Sequence, residues 1–212
     1  MAHYDLEEQE QIDTLRTWWK LYGNLVTGVV VAAALGVVCW QGWNRYQGGQ
    51  SAQASAIYGI VEQAAAAKDG QRVKTAAGEL TEKFASTAYA PLAALTAAKV
   101  SFEAGDLKTA QAQLSWVAEH GKDEIRDIAR LRLAAVLLDD KAYDEALKQL
   151  DAAHGPSFDA RFAELKGDVL AAQGKKAEAR SAYQAAIGKL EGKAGAYRDV
   201  IQQKLDSLGE AA

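Results

Sequence analysis

From Leu21 to Asn44 the chain carries no charged residue. The core of this stretch, Leu25–Trp43, is 19 residues, which as a helix rising about 1.5 Å per residue extends about 28 Å. That matches a hydrocarbon thickness of about 30 Å. Trp18, Trp19 and Tyr22 flank one end and Trp40, Trp43 and Tyr46 the other, so four of the five tryptophans lie where interfacial belts are expected. Lys20 and Arg45 stand just outside, placed to reach the headgroups. A helix buried in a water-soluble core has no need of two aromatic girdles. The stretch predicts a single membrane-spanning helix over residues 21–44.

Its context predicts an uncleaved anchor. The preceding 20 residues hold Asp5, Glu7, Glu8, Glu10 and Asp13 against Arg16 and Lys20, the reverse of the basic start of a signal peptide. The triplet Ala32-Ala33-Ala34 lies inside the apolar run, and Val38, before Cys39, is not the small residue that lipoprotein processing requires. Cys39 is given no role. Two cations before the span against Arg45 after it favour an internal N-terminus by a single charge. Gly28, Ala32 and Gly36 recur every four residues and line one helix face, a pattern that lets helix backbones approach closely in lipid. Partner-helix contact and the chance spacing of a Val/Ala/Gly-rich span are the two readings of that face. Within residues 1–20, Ile12, Leu15 and Trp19 share an amphipathic face. They predict a short helix that continues into the span or lies on the membrane surface.

The remaining residues repeat. Gly105-Asp106-Leu107-Lys108-Thr109-Ala110 with Leu114, Lys141-Ala142-Tyr143-Asp144-Glu145-Ala146 with Leu150, and Gly174-Lys175-Lys176-Ala177-Glu178-Ala179 with Tyr183 each run from a polar turn to an alanine, then to a large apolar residue. Twelve residues before those alanines stand Ala98, Ala134 and Gly167. The period is that of the tetratricopeptide unit, a helix–turn–helix of about 34 residues whose small positions let two helices nest. A degenerate first unit is placed around Ala76, with a first helix over about residues 51–67 and a Lys68-Asp69-Gly70 turn. Tyr197, Ile201, Lys204, Leu205 and Leu208 outline an amphipathic closing helix, and Pro91 and Pro156 are placed between helices. About a fifth of the chain is alanine, the strongest helix former. The predicted fold class is all-α: an N-terminal transmembrane helix, then a tetratricopeptide-like α-solenoid of about four helix pairs and a C-terminal capping helix. A non-repetitive α-bundle is the alternative.

The chemistry of a catalyst is not written here. A single cysteine leaves no disulfide framework or thiolate-built zinc site, and no phosphate loop, HExxH or nucleophile-elbow motif occurs. His3, His120 and His154 are scattered and read as solvent-exposed. Glu164 and Asp168 read as an ordinary solvated face. The expectation is no catalytic residue, no cofactor and no metal. Of the net charge of −4, the first 20 residues contribute −3 and residues 45–212 only −1, so nothing predicts nucleic-acid binding. A near-neutral helical repeat suits a protein-binding groove built from the first helices of successive pairs. On the repeat register that groove includes Leu95, Lys99 and Phe102, then Leu131 and Leu138, then Glu164 and Asp168, although Phe102 suits a core position equally well.

The order of parts, together with Ala129-Arg130-Leu131-Arg132-Leu133-Ala134, the run Asp144–Asp151, Glu164-Leu165-Lys166-Gly167-Asp168, and Gly174-Lys175 with Ala179-Arg180-Ser181-Ala182, resembles the YfgM family of bacterial inner-membrane proteins over essentially the whole length. The resemblance implies residues 1–20 in the cytoplasm, 21–44 in the inner membrane and 45–212 as a periplasmic tetratricopeptide-like domain. It further implies an ancillary subunit of the SecYEG translocon, acting beside a PpiD-like periplasmic chaperone on translocated client proteins, with membrane lipid around the span. An envelope scaffold for another inner-membrane complex, unrelated to export, is the alternative. The resemblance carries no catalytic or ligand residues onto this chain.

Overall fold

A computed structural model describes residues 2–190 and 195–209, with side chains from Gln11 onward. His3 and the acidic run before Gln11 therefore lie outside the described side chains. Among the described residues every regular element is helical: α1 (Ala2–Ala66), α2 (Gly70–Lys83), α3 (Tyr89–Glu103), α4 (Leu107–His120), α5 (Asp123–Asp139), α6 (Tyr143–Leu150), a 3₁₀ turn (Pro156–Phe158), α7 (Asp159–Ala172), α8 (Lys176–Lys189) and α9 (Gly195–Ser207). The chain divides into two compact units, one up to Gln50 and one from Ser51 onward. α1 contributes to both, so the amphipathic segment, the apolar stretch and the first helix of the repeat belong to one continuous element. No proline interrupts it.

In the unit from Ser51 onward, the end of α1 pairs with α2, α3 with α4, α5 with α6 and α7 with α8. Each pair turns in the same way. Lys68, Gly105, Lys141 and Gly174 adopt positive φ, between 58° and 77°. Each donates its N–H to the carbonyl three residues back, and the following residue donates to the carbonyl five back: Asp69 to Ala64, Asp106 to Ser101, Ala142 to Leu137, Lys175 to Leu170, at 2.8–2.9 Å. These are Schellman turns, which satisfy carbonyls that a helix end otherwise leaves open. Asp69 and Asp106 then cap the next helix by accepting from the N–H groups of Arg72 (3.0 Å) and Thr109 (3.1 Å). Lys74 Nζ lies 2.6 Å from Asp106 Oδ2 and ties α2 to the next turn. Hydrogen bonds from Lys74 and Thr109 hold the Asp106 carboxyl well below the usual carboxylate range.

The turns also correct the register of the first unit. Val73 donates to Asp69 as Ala110, Ala146 and Ala179 donate to Asp106, Ala142 and Lys175. The repeat position is therefore Val73, and Ala76 falls three residues later. Val61 and Ala77 then stand where the later pairs have Ala98 and Leu114, Ala134 and Leu150, Gly167 and Tyr183. All eight are buried. Small opposite large recurs in every pair, with the order inverted in the first. The last pair is the extreme case: a Cβ on Gly167 would sit 2.5 Å from ring carbons of Tyr183. Pro91, expected between helices, instead lies in the first turn of α3, where its missing N–H costs nothing.

The pairs share a core in three overlapping clusters. Leu80, Val61 and Val73 centre the first, Leu114, Leu133 and Phe162 the second, Tyr183, Ile201 and Leu205 the third. Trp116 packs on both the first and second, and Leu147 on both the second and third. At the far end α9 lays Ile201 and Leu205 over the exposed face of the last pair. It also brings polar groups to α7: Tyr197 Oη donates to Glu164, and Lys204 Nζ to Glu164 (2.8 Å) and Asp168 (2.7 Å), beside Tyr183 Oη of α8, which donates to Asp168 (2.8 Å). Glu164 and Asp168 are thus partnered and half-buried, not the solvated pair expected. Burial pushes both phenols upward, reinforced by Asp168 at Tyr183 and by Glu164 at Tyr197. Burial works against the Lys204 ammonium, but its bonds to Asp168 and Glu164 prevail and hold it above the ordinary value.

Gly167→Ala should destabilise the repeat unit by about 2 kcal/mol through overpacking, read as a lower thermal midpoint. Gly167→Ala with Tyr183→Leu, which restores the alanine–leucine pairing of the earlier units, should lose less than the two single changes added together. Lys141→Gly should raise stability by up to about 1 kcal/mol, because glycine takes the left-handed turn conformation without strain. Lys204→Met should cost about 1 kcal/mol, since the pair is partly open to solvent. Because Tyr183, Tyr197 and Lys204 are all held above their ordinary values of 10.0, 10.0 and 10.5, their contribution is complete below about pH 10. It is lost as pH rises through the raised folded values. Near-ultraviolet circular dichroism should report loosening of α9 in that alkaline window, ahead of the rest of the unit.

Candidate functional site

The first surface is the apolar stretch of α1. Its most apolar 18-residue window has a mean hydropathy of 2.0 and is only 6% buried within the chain. A helix that is long and apolar enough to cross a membrane is thus not covered by the protein's own core. Leu25, Val30, Leu35, Val38 and Trp40 are all exposed, and burying them requires lipid or another protein. Gly28, Ala32 and Gly36 are exposed, and nothing lies within 4 Å of a Cβ built on either glycine. The face is open. Gly23 differs: Trp19 lies over it, with ring atoms 3.2 Å from where a Cβ would be, so part of the aromatic belt is seated along the helix. Cys39 is free and exposed.

The second surface lies between the first helices of the second and third pairs. Leu95, Lys99 and Phe102 of α3, three of the predicted groove residues, meet Arg132, Ala135 and Val136 of α5 around a mostly apolar cavity of about 310 Å³, with Leu114 of α4 in its lining. Phe102 is 41% exposed, so it is not a core residue. Leu92, also exposed, continues the same face of α3, three residues before Leu95. At the mouth, Lys99 pairs, among the described residues, only with Glu103 of its own helix, at 3.8 Å and open to water. Arg132 has no partner among the described residues.

The other predicted groove residues are placed elsewhere. Leu131 and Leu138 are partly buried against the central core cluster, and Glu164 and Asp168 lie under α9. Sequence reasoning missed Arg132, Ala135 and Val136. Ala135 stands at the repeat position of Lys99 and Asp168, a signal the register contains, whereas Arg132 and Val136 carry no such mark. His154, expected in solvent, is half-buried: it stacks on Phe162 with ring centroids 3.8 Å apart, and its Nε2 lies 3.3 Å from Asp159. Lys189 also bonds Asp159 at 2.8 Å and depresses its carboxyl. Among the described residues no group of three His, Cys, Asp or Glu side chains is gathered as a metal ion would need.

Comparison with known proteins bears on both surfaces together. A family model described as a tetratricopeptide repeat-like domain matches residues 16–210. The chain is 34% identical over 205 residues to a protein of Neisseria gonorrhoeae named ancillary SecYEG translocon subunit, covering 96% of this chain and 98% of that one. A protein of the same name from Haemophilus influenzae is 34% identical over 184 residues, covering 86% and 90%. One from Escherichia coli is 28% identical over 205 residues, covering 95% and 96%. These alignments run through the apolar helix and the repeat alike, and the chain belongs to the family of ancillary SecYEG translocon subunits, built on a tetratricopeptide repeat-like domain.

Proposed function

We propose that the chain is a single-pass inner-membrane adaptor that binds the SecYEG translocon, with residues 1–20 cytoplasmic, 21–44 in the bilayer and 45–212 in the periplasm. The observation that carries this reading is the presence, in one chain, of an uncovered apolar helix of bilayer length and a repeat unit with an open groove. The relatives' names supply the translocon as the assembly. The helix holds the repeat unit beside the channel, where tethering raises its effective concentration toward anything emerging there. The groove residues Leu95, Lys99 and Phe102 then receive a PpiD-like chaperone or a translocated client, and the Gly28, Ala32 and Gly36 face receives a helix of the translocon. Leu131, Leu138, Glu164 and Asp168 support that groove by packing and by holding α9. The protein acts by binding; no catalytic step is assigned to it.

A photo-reactive residue at Gly28 and, separately, at Phe102 tests this in intact membranes, because both positions are open. Adducts with translocon subunits from Gly28, and with a periplasmic chaperone or an exported client from Phe102, are the expected result. Adducts from both positions confined to one unrelated inner-membrane complex would show a scaffold unconnected with export. A cysteine placed at Ser51 should react with an impermeant maleimide from the periplasmic side; reaction only after the inner membrane is opened would reverse the orientation.

A further inference from the structure

We infer that the cavity between α3 and α5 is a docking site for a segment of a partner protein that presents one large apolar side chain next to acidic residues. This deepens the adaptor reading by naming the chemistry its groove selects. Leu95, Phe102 and Val136 give the cavity apolar walls, and its volume of about 310 Å³ suits one or two side chains. Two cations stand at the mouth. Arg132 is exposed and unpartnered among the described residues, and the Lys99–Glu103 contact at 3.8 Å, with Lys99 70% exposed, is of the kind that contributes little. An apolar pocket rimmed by two cations, Arg132 without a partner among the described residues and Lys99 with only a weak solvent-exposed one, selects against basic segments and for acidic ones.

The last pair shows what the same positions look like when filled. Leu95 and Lys99 correspond, through Ala98 and Gly167, to Glu164 and Asp168. There the next first helix, α9, supplies Tyr197 and Lys204 to the carboxylates. In the second pair Lys99 reverses the sign of Asp168 and α5 adds a second cation, Arg132, at the mouth; the carboxylate beside them, Glu103, lies 3.8 Å from Lys99 and is open to water. The structure therefore points to an anionic, apolar-anchored segment from another protein.

The test uses the full chain in detergent micelles and short fluorescent peptides. One carries a tryptophan between Asp and Glu residues, one the same tryptophan between lysines, and one serine in place of tryptophan with the acids kept. Fluorescence anisotropy should show the acidic tryptophan peptide binding at least about tenfold more tightly than the other two, with the preference weakening as salt is raised. Phe102→Ala should weaken that peptide about tenfold. Because Lys99 and Arg132 are exposed, Lys99→Glu with Arg132→Glu should keep the thermal midpoint and turn the preference toward the lysine peptide. Equal binding of acidic and basic peptides, a preference untouched by the charge reversal, or saturation of the site by anionic phospholipid micelles in place of peptide would overturn the inference. Self-association of the chain abolished by Phe102→Ala would assign the cavity to a second copy and equally overturn it. None of these readouts depends on the translocon, so they can fail while membrane cross-links to the channel succeed, and the reverse.

Discussion

Close nesting of the helix pairs, with a small residue of one helix set against a larger residue of the other, is the constraint on which the repeat unit depends. Ala98 with Leu114 and Ala134 with Leu150 meet it in one way, Val61 with Ala77 in the reverse way. Gly167 with Tyr183 takes it to the limit, where even one methyl group has no room. The Schellman turns place these positions opposite each other by giving each pair the same connection, whether the left-handed residue is Gly105 and Gly174 or the more strained Lys68 and Lys141. Close-packed interiors leave no slack for both partners to be large. A pair so built still exposes its outer face, and Trp116 and Leu147 pass the core from one cluster to the next until α9 ends the series.

The two units answer to different solvents. In the repeat unit the apolar side chains turn mostly inward, and two of the exposed exceptions, Leu92 and Phe102, lie on α3 beside the cavity. In the apolar stretch of α1 they face outward on every side, which is stable only where water is absent. The chain thus joins an apolar helix that its own core leaves uncovered to a folded unit with its own buried core. The closing helix bears on this economy, because the groove positions of the last pair are taken up in attaching α9, which leaves the α3–α5 cavity as an open apolar recess on the first-helix face.

Much of this was legible in residue order. The uncharged stretch with its aromatic flanks, the recurring alanines and the closing amphipathic helix follow from spacing, since helical periodicity is local. The first repeat is offset because alanine marks the position in the later pairs, whereas here Val73 holds it, with the larger Val61 of α1 facing the small Ala77 of α2. The groove was half legible. Leu95, Lys99 and Phe102 meet at the cavity, but Leu131 and Leu138 turn toward the core and Arg132 toward the mouth, a rotation about α5 that depends on how α5 leans on its neighbours. Glu164 and Asp168 looked like solvated carboxylates because their partners, Tyr197 and Lys204, lie more than 30 residues away.

By itself the sequence determined the helical class, the membrane-crossing stretch and the repeat period, all of which rest on hydrophobic pattern and propensity within a few turns of chain. The tertiary structure alone decided which residues of those helices stay open. Exposure is set by the angle and depth at which neighbouring pairs pack, and these depend on side chains far apart in sequence. That is why Arg132 stands at a cavity mouth, His154 lies against Phe162, and two carboxylates on α7 hold the closing helix in place.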